Sequence, residues 1–288
     1  MARRGHASAF LDVRYATERF LMRISKSAYK EAFVIKGGVL LGLIFEDEAR
    51  ATRDLDIAVR IPETNTQEII EKLQKICDID IDDGLTFVIN GYDETRANEI
   101  YPSLHVRLTA SFKDSKTKIG FHIDLAVGDL IIPSPKATSF PLMFQETRES
   151  VETIELYTYP KETVLAEKLE TILRRGDANS RYKDFYDCHM LWNTDDDSGD
   201  QLDIQLCLSA FRATVTARRH LNQLVFFDVE EYLLILNDIR ESDKMSKGWE
   251  QFTSETGQEL DGLSFKETVN EMESIIQELY KEFQKDEE

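Results

Sequence analysis

FVIKGGVLLGLIF (residues 33–45) and RATRDLDIAV (residues 50–59) decide the fold between them. FVIK has the apolar, β-branched character of a short strand, and two glycines follow it. VLLGLIF then reads as a short buried helix. Gly37 and Gly38 therefore end a strand and open a helix, where backbone N–H groups are free to hold phosphate oxygens. Residues 39–53 are long enough for that helix and a return to a second strand, LDIAV (55–59). Asp54 and Asp56 open that strand. Side chains two apart on a strand share a face, so Asp54, Asp56 and Ala58 lie on one side and Leu55, Ile57 and Val59 on the other. Carboxylates held side by side repel unless a cation sits between them. Hard divalent ions such as Mg²⁺ accept carboxylate oxygens and keep positions open for substrate phosphates. Arg53 has the opposite parity from the two acids and is not read as catalytic.

FHIDLAV (121–127) repeats the pattern. Phe121, Ile123, Leu125 and Val127 share one face, and His122, Asp124 and Ala126 share the other. An aspartate within an apolar strand is costly to bury without a partner. Asp54, Asp56 and Asp124 from two neighbouring strands would make a two-metal site suited to in-line displacement at phosphorus. A purely structural reading stays open, with the D-x-D as an edge pair and Asp124 in a salt bridge. His122 is read as a satisfied interior histidine or as a group orienting a carboxylate.

Moving outward, residues 9–30 have the period of an amphipathic helix, with Phe10, Val13, Phe20, Leu21 and Ile24 facing inward. Residues 66–76 form a second helix. TFVI (86–89), LHVRLTASF (104–112) and KIGFHIDLAV (118–127) alternate as strands, the last two paired across DSKT. IIPSPKATSFP (131–141), with three of the chain's six prolines, reads as loop. TIELYTY (153–159) is a final strand. Beyond Pro160 helices are expected at 161–175, 182–193, 202–220, 229–240 and 265–284. The class is α+β, with a mixed-sheet domain at 1–159 and a helical domain at 160–288.

Charge narrows the partners less than it first suggests. The chain of 288 residues carries 35 Lys and Arg against 54 Asp and Glu, a net charge of −19. Such a balance excludes a general nucleic-acid coat protein, because phosphate affinity comes from Lys and Arg. It does not exclude an enzyme with a local basic patch. Residues 1–30 hold seven bases against two acids, and residues 221–288 hold 18 acids against 6 bases. The basic start is either a solvated helix face or a surface that meets a polyanion. Cys77, Cys188 and Cys207 are too few and too widely spaced for a disulfide framework or a zinc site. No signal-type core and no membrane-length apolar run is present, so a soluble, cytoplasmic protein without membrane contact is expected.

Two helical segments add candidates. In VLAEKLETIL (164–173), Leu165, Leu169 and Ile172 form an apolar stripe, and Lys168 falls within its arc at 100° per residue. Glu167, Glu170 and Thr171 point away. Lys168 either snorkels out past Leu165 or reaches a triphosphate or carboxylate. In RYKDFYDCHMLW (181–192), Tyr182, Phe185, Cys188, His189 and Trp192 form the stripe, with Asp184 at its edge. Asp187 and Lys183 project toward solvent, so Asp184 is the acid expected to partner Lys168. Arg181 and Lys183 are either solvated or contact nucleic-acid phosphate.

Glycines after a strand, a helix, D-x-D on the next strand and a later single Asp resemble the nucleotidyltransferase superfamily with a DNA polymerase β-like fold. FVIKGGVLLGLIF…RATRDLDIAV is similar to the pattern K-G-G-x-x-L…R-x-[ST]-x-D-[LI]-D of the AbiEii/AbiGii toxin family, which includes MenT-type toxins. Arg50 matches the basic position of that pattern. LAEKLETIL and RYKDFYD resemble the family's helical motifs. The resemblance covers roughly residues 33–192. It implies a toxin of a toxin–antitoxin or abortive-infection system that uses two Mg²⁺ ions and an NTP, with a tRNA acceptor end favoured and a cognate antitoxin as partner. In site terms it implies Asp54, Asp56 and Asp124 as metal ligands and Gly37 and Gly38 on the triphosphate. Lys168 would neutralise phosphate, oriented by Asp184. Gly38 stands where many relatives carry Ser, and Val39 where Thr is common, so two phosphate-binding hydroxyls are missing. The alternatives are a degenerate nucleotide- or partner-binding scaffold and a nucleotidyltransferase acting on small molecules.

Overall fold

A computed structural model describes residues 2–45, 54–60, 65–94, 103–113, 115–128, 131–145, 151–193, 201–219, 228–256 and 262–287. Chain contacts divide it into two compact units, residues 1–129 with 135–159, and residues 130–134 with 160–288.

The first unit is built on one seven-stranded mixed sheet. Its strands are β1 (Phe33–Lys36), β2 (Asp54–Val59), β3 (Leu85–Glu94), β4 (Ser103–Phe112), β5 (Lys118–Val127), β6 (Lys136–Pro141) and β7 (Thr153–Thr158). They lie in the order β3-β4-β5-β2-β1-β7-β6. β2 runs parallel to β5 and β1 parallel to β7; the other neighbours are antiparallel. The helices are α1 (Ala2–Lys26), α2 (Gly37–Ile44) and α3 (Thr66–Cys77). Alternation along β4 and β5 is clean, with Leu104, Val106, Leu108, Phe121, Ile123 and Leu125 buried and the residues between them at least partly exposed. Phe20 of α1 meets Phe87 and Phe121 at ring-centroid distances of 5.6 and 6.0 Å. Ile69, Leu73 and Ile76 of α3 are buried in the same unit.

The segment expected as loop at 131–141 contains β6. Its prolines do not oppose this. Pro133 and Pro135 precede the strand, and Pro141 is its last residue, on an edge strand where a missing N–H costs no ladder bond. The basic start is also corrected. Arg23 is fully buried, and its guanidinium donates to both Asp83 oxygens at 2.7 and 2.8 Å and to the Leu85 carbonyl at 2.9 Å. Arg19 is buried as well. Two of the seven bases thus hold the fold together and are not available to a polyanion.

The second unit is helical: α4 (Lys161–Arg175), α5 (Tyr182–Trp192), α6 (Ile204–Arg219), α7 (Val229–Glu241), α8 (Asp243–Thr256) and α9 (Phe265–Glu287). The sequence reading lacked α8. DKMSKGWEQFTSET has only Met245 and Trp249 as fully buried anchors, too sparse a stripe to register. α4 packs against both α5 and α6, and α5 against both α4 and α9. These two helices are buried on more than one side, and that governs the chemistry of their charged residues. No helix among the described residues is long and apolar enough to cross a membrane.

Candidate active site

In the first unit, strand register brings the three predicted carboxylates together. Asp56 pairs with Asp124 and Asp54 with His122 across the parallel β2–β5 ladder. On the other flank of β2, Lys36 pairs with Asp56. On the far side of β5, His105 pairs with Asp124 and Asp93 with His105. Paired residues present their side chains on the same face. A single row therefore crosses five strands: Lys36, Asp56, Asp124, His105, Asp93. A second row runs Asp54, His122, Arg107, and Arg107 forms an ion pair with Asp93. Leu55, Ile57, Leu104, Val106, Ile123 and Leu125 point to the opposite face.

The glycine turn abuts the acids. Gly37 has φ +67°, a conformation open to glycine and strained for other residues. A Cβ on Gly37 would collide with the Asp56 carboxylate, so only glycine lets the turn approach D-x-D so closely. No side chain caps the α2 N-terminus, and its N-cap is Lys36. Lys36 Nζ lies 3.4 Å from the Tyr159 hydroxyl and 5.0 Å from that ring's centre.

Asp54 is exposed and Asp56 half-buried. Asp124 is half-open, and its Oδ1 lies 2.6 Å from Nδ1 of His105. The His105 and His122 rings stack at 4.7 Å. His122 is exposed, contrary to the interior reading. Sequence reasoning passed over His105 altogether, although the parity of LHVRLTASF turns it away from the core. Arg50 and Arg53 lie outside the described residues.

Does this donor set suit Mg²⁺? Three carboxylates on adjacent strands, in register and on one face, are the oxygen ligands a hard cation takes. Among the described residues no three His, Cys, Asp or Glu side chains form a ready-made cluster, and Asp124 contacts His105. The residues fit by type and by strand placement.

In the second unit Lys168 is nearly sealed, and its Nζ lies 2.6 Å from Asp187 Oδ2 and 3.2 Å from Asp184 Oδ1. Arg181 Nε donates to the other Asp184 oxygen at 2.7 Å. The expected Lys168–Asp184 contact is present. The solvent-facing placement of Asp187 is not: its side chain is 3% exposed and makes the shorter bond to Lys168. Glu170, expected to point away, is fully buried against Arg174 and Arg218. Both corrections have one cause. A wheel with a single apolar arc describes a helix at a surface, whereas α4 and α5 are packed on several sides.

Burial alone would push the Lys168 ammonium down, but the charges of Asp187 and Asp184 outweigh it and hold its pKa above the usual lysine value. Burial likewise opposes ionisation of Asp184, and Lys168 and Arg181 overcome it and hold that carboxyl below the usual range. All three cysteines are buried, and burial pushes the Cys77 thiol up to about 12. They are inert as nucleophiles.

A mixed sheet that presents a glycine turn against D-x-D, with a third aspartate in register on the next strand, is the arrangement of a nucleotidyltransferase. The sequence profile of the nucleotidyl transferase AbiEii toxin, of type IV toxin–antitoxin systems, matches residues 19–277. The chain belongs to that family, and it is a nucleotidyltransferase. Two Helicobacter pylori crystal structures, one described as a candidate nucleotidyltransferase and the other as JHP933, are similar at 14% identity and a TM-score of 0.43. Each alignment covers 96% of this chain, and 96% and 94% of those chains. No curated protein sequence matches the chain.

Proposed function

We infer that the protein is a Mg²⁺-dependent nucleotidyltransferase toxin that transfers a nucleotide from an NTP to the hydroxyl of a tRNA end. The observation that supports this reading is Asp56 in register with Asp124, Asp54 on the same strand face, and the Gly37 turn against Asp56. Asp54, Asp56 and Asp124 are the residues that would hold two Mg²⁺ ions. Bound there, Mg²⁺ neutralises phosphate charge and eases ionisation of the attacking hydroxyl. Gly37 and Gly38 offer backbone N–H groups to the triphosphate. The acceptor oxygen forms a bond to the α-phosphorus, the bond to the β-phosphate oxygen breaks, and pyrophosphate leaves. The hydroxyl proton passes to Asp124.

In this reading Asp184 orients Lys168. The Asp184–Lys168 bond supports the orienting role. The antitoxin that the family implies is the protein partner, and the protein acts in the cytoplasm. The test incubates cell extract with each α-labelled NTP and Mg²⁺, then digests the labelled product with RNase or protease. Label removed by RNase alone is expected. Label that survives RNase and yields to protease overturns the tRNA acceptor, and label confined to small molecules overturns any macromolecular one.

A further inference from the structure

We propose that His105 is a positioning residue for Asp124, donating its Nδ1–H to one carboxylate oxygen and leaving the other for the reaction. The proposal deepens the reading above and rests on it. His105 and Asp124 are directly opposed across the antiparallel β4–β5 ladder, and their polar atoms lie 2.6 Å apart. As the donor in this contact, His105 carries a proton on Nδ1. The His105 ring is held on its flank by the stacked His122. Beyond it, Asp93 is in register but engaged by Arg107. Asp124 is therefore the carboxylate that His105 serves.

The physical need is specific to this acid. Asp56 lies close against the Gly37 turn, and Asp54 stands at the strand's first residue. Asp124 sits mid-strand on an open face, about 43% exposed, where a carboxylate has several rotamers. A hydrogen bond from a ring that cannot itself swing freely selects one of them. Carboxylates that hold ions are commonly oriented in this way by an outer partner. The pairing of these two strands across DSKT is legible in the sequence, but the register that sets His105 opposite Asp124 is not.

The test compares His105→Ala, His105→Asn and Asp124→Asn in the full chain, with a double-variant cycle. Asn can place an N–H near the position of Nδ1. His105→Ala should lower kcat for nucleotide transfer by about 10- to 100-fold, leaving KM for the NTP within about twofold. His105→Asn should restore most of the loss. Adding His105→Ala to Asp124→Asn should cost nothing more. An unchanged kcat in His105→Ala, or an equal further loss in the Asp124→Asn background, overturns the proposal. Independently of activity, ¹⁵N shifts of the wild-type imidazole should report a proton on Nδ1 and should move on Asp124→Asn. A bare Nδ1 also overturns it. Full activity of Asp124→Asn defeats the reading of the site itself, whereas an inactive Asp124→Asn beside a fully active His105→Ala defeats only the role of His105.

Discussion

Asp54, Asp56 and Asp124 stand on an accessible strand face, while Asp184 and Asp187 are sealed around Lys168 inside a helical bundle. The residue type is the same and the physics is opposite. An open carboxylate keeps its hydration and can exchange water for an ion at modest cost. A sealed one must have a permanent partner, since an uncompensated buried charge costs several kcal/mol. Lys168, with two acids and the flanking Arg181, makes a charge-balanced cluster. The contrast teaches that a motif's residues divide by environment: the strand acids are open to a ligand, as the proposed function requires, and the helical acids hold their bundle together.

The largest effect that can break this contrast is on catalysis. Asp56→Asn should reduce nucleotide transfer by about 10³-fold or more while leaving thermal stability near wild type, measured by label transfer and melting. Near-normal transfer would remove the strand acids from the chemistry. Next comes Lys168→Ala, which removes the cation that buried Asp187 and Asp184 share and leaves Asp184 to Arg181. A loss of about 3–5 kcal/mol in urea unfolding is expected. Combining Lys168→Met with Asp184→Asn and Asp187→Asn should recover much of it, because no bare charge remains. If Lys168→Ala is as stable as wild type, the sealed cluster is not holding the bundle.

Gly37→Ala should cost about 1–3 kcal/mol, from positive φ and the clash with Asp56, and should also lower transfer. A fully stable and active Gly37→Ala protein would show that the turn has room to relax. The pH response is smaller and has a definite sign. Asp184 has a lowered folded pKa, so its contribution is present above the usual carboxylate value of 3.8 and is lost as pH falls through the folded value. Lys168 has a raised one, so its contribution is present below 10.5 and is lost as pH rises through the folded value. Urea unfolding should therefore show acid destabilisation below about pH 4, and Asp184→Asn should flatten it. Arg107→Ala, which removes an exposed pair with Asp93, should cost under about 1 kcal/mol.

Local periodicity was enough to read the strand acids and not enough to read their neighbours. Asp54, Asp56 and Asp124 follow from period-two alternation and a glycine turn, both contained within short windows. His105 lies on a strand that was recognised, paired with the next and with its outward parity visible, but its contact with Asp124 depends on the one register those strands adopt. Asp187 and Glu170 were misplaced because a helical wheel assumes one buried arc, and α4 and α5 have neighbours on several sides. β6 was hidden by prolines that fall at positions an edge strand tolerates. Arg23 was counted as surface charge because nothing local marks Asp83, sixty residues away, as its partner.

The most direct test of the central claim is uptake of Mn²⁺, as a reporter for Mg²⁺, by the full chain with a non-hydrolysable NTP present, followed by the loss of the free-ion EPR signal. Wild-type protein should bind the ion, and Asp54→Asn/Asp56→Asn should leave it free while melting at the wild-type temperature. Equal uptake by the two proteins would contradict the assignment of the strand carboxylates as the metal-binding centre.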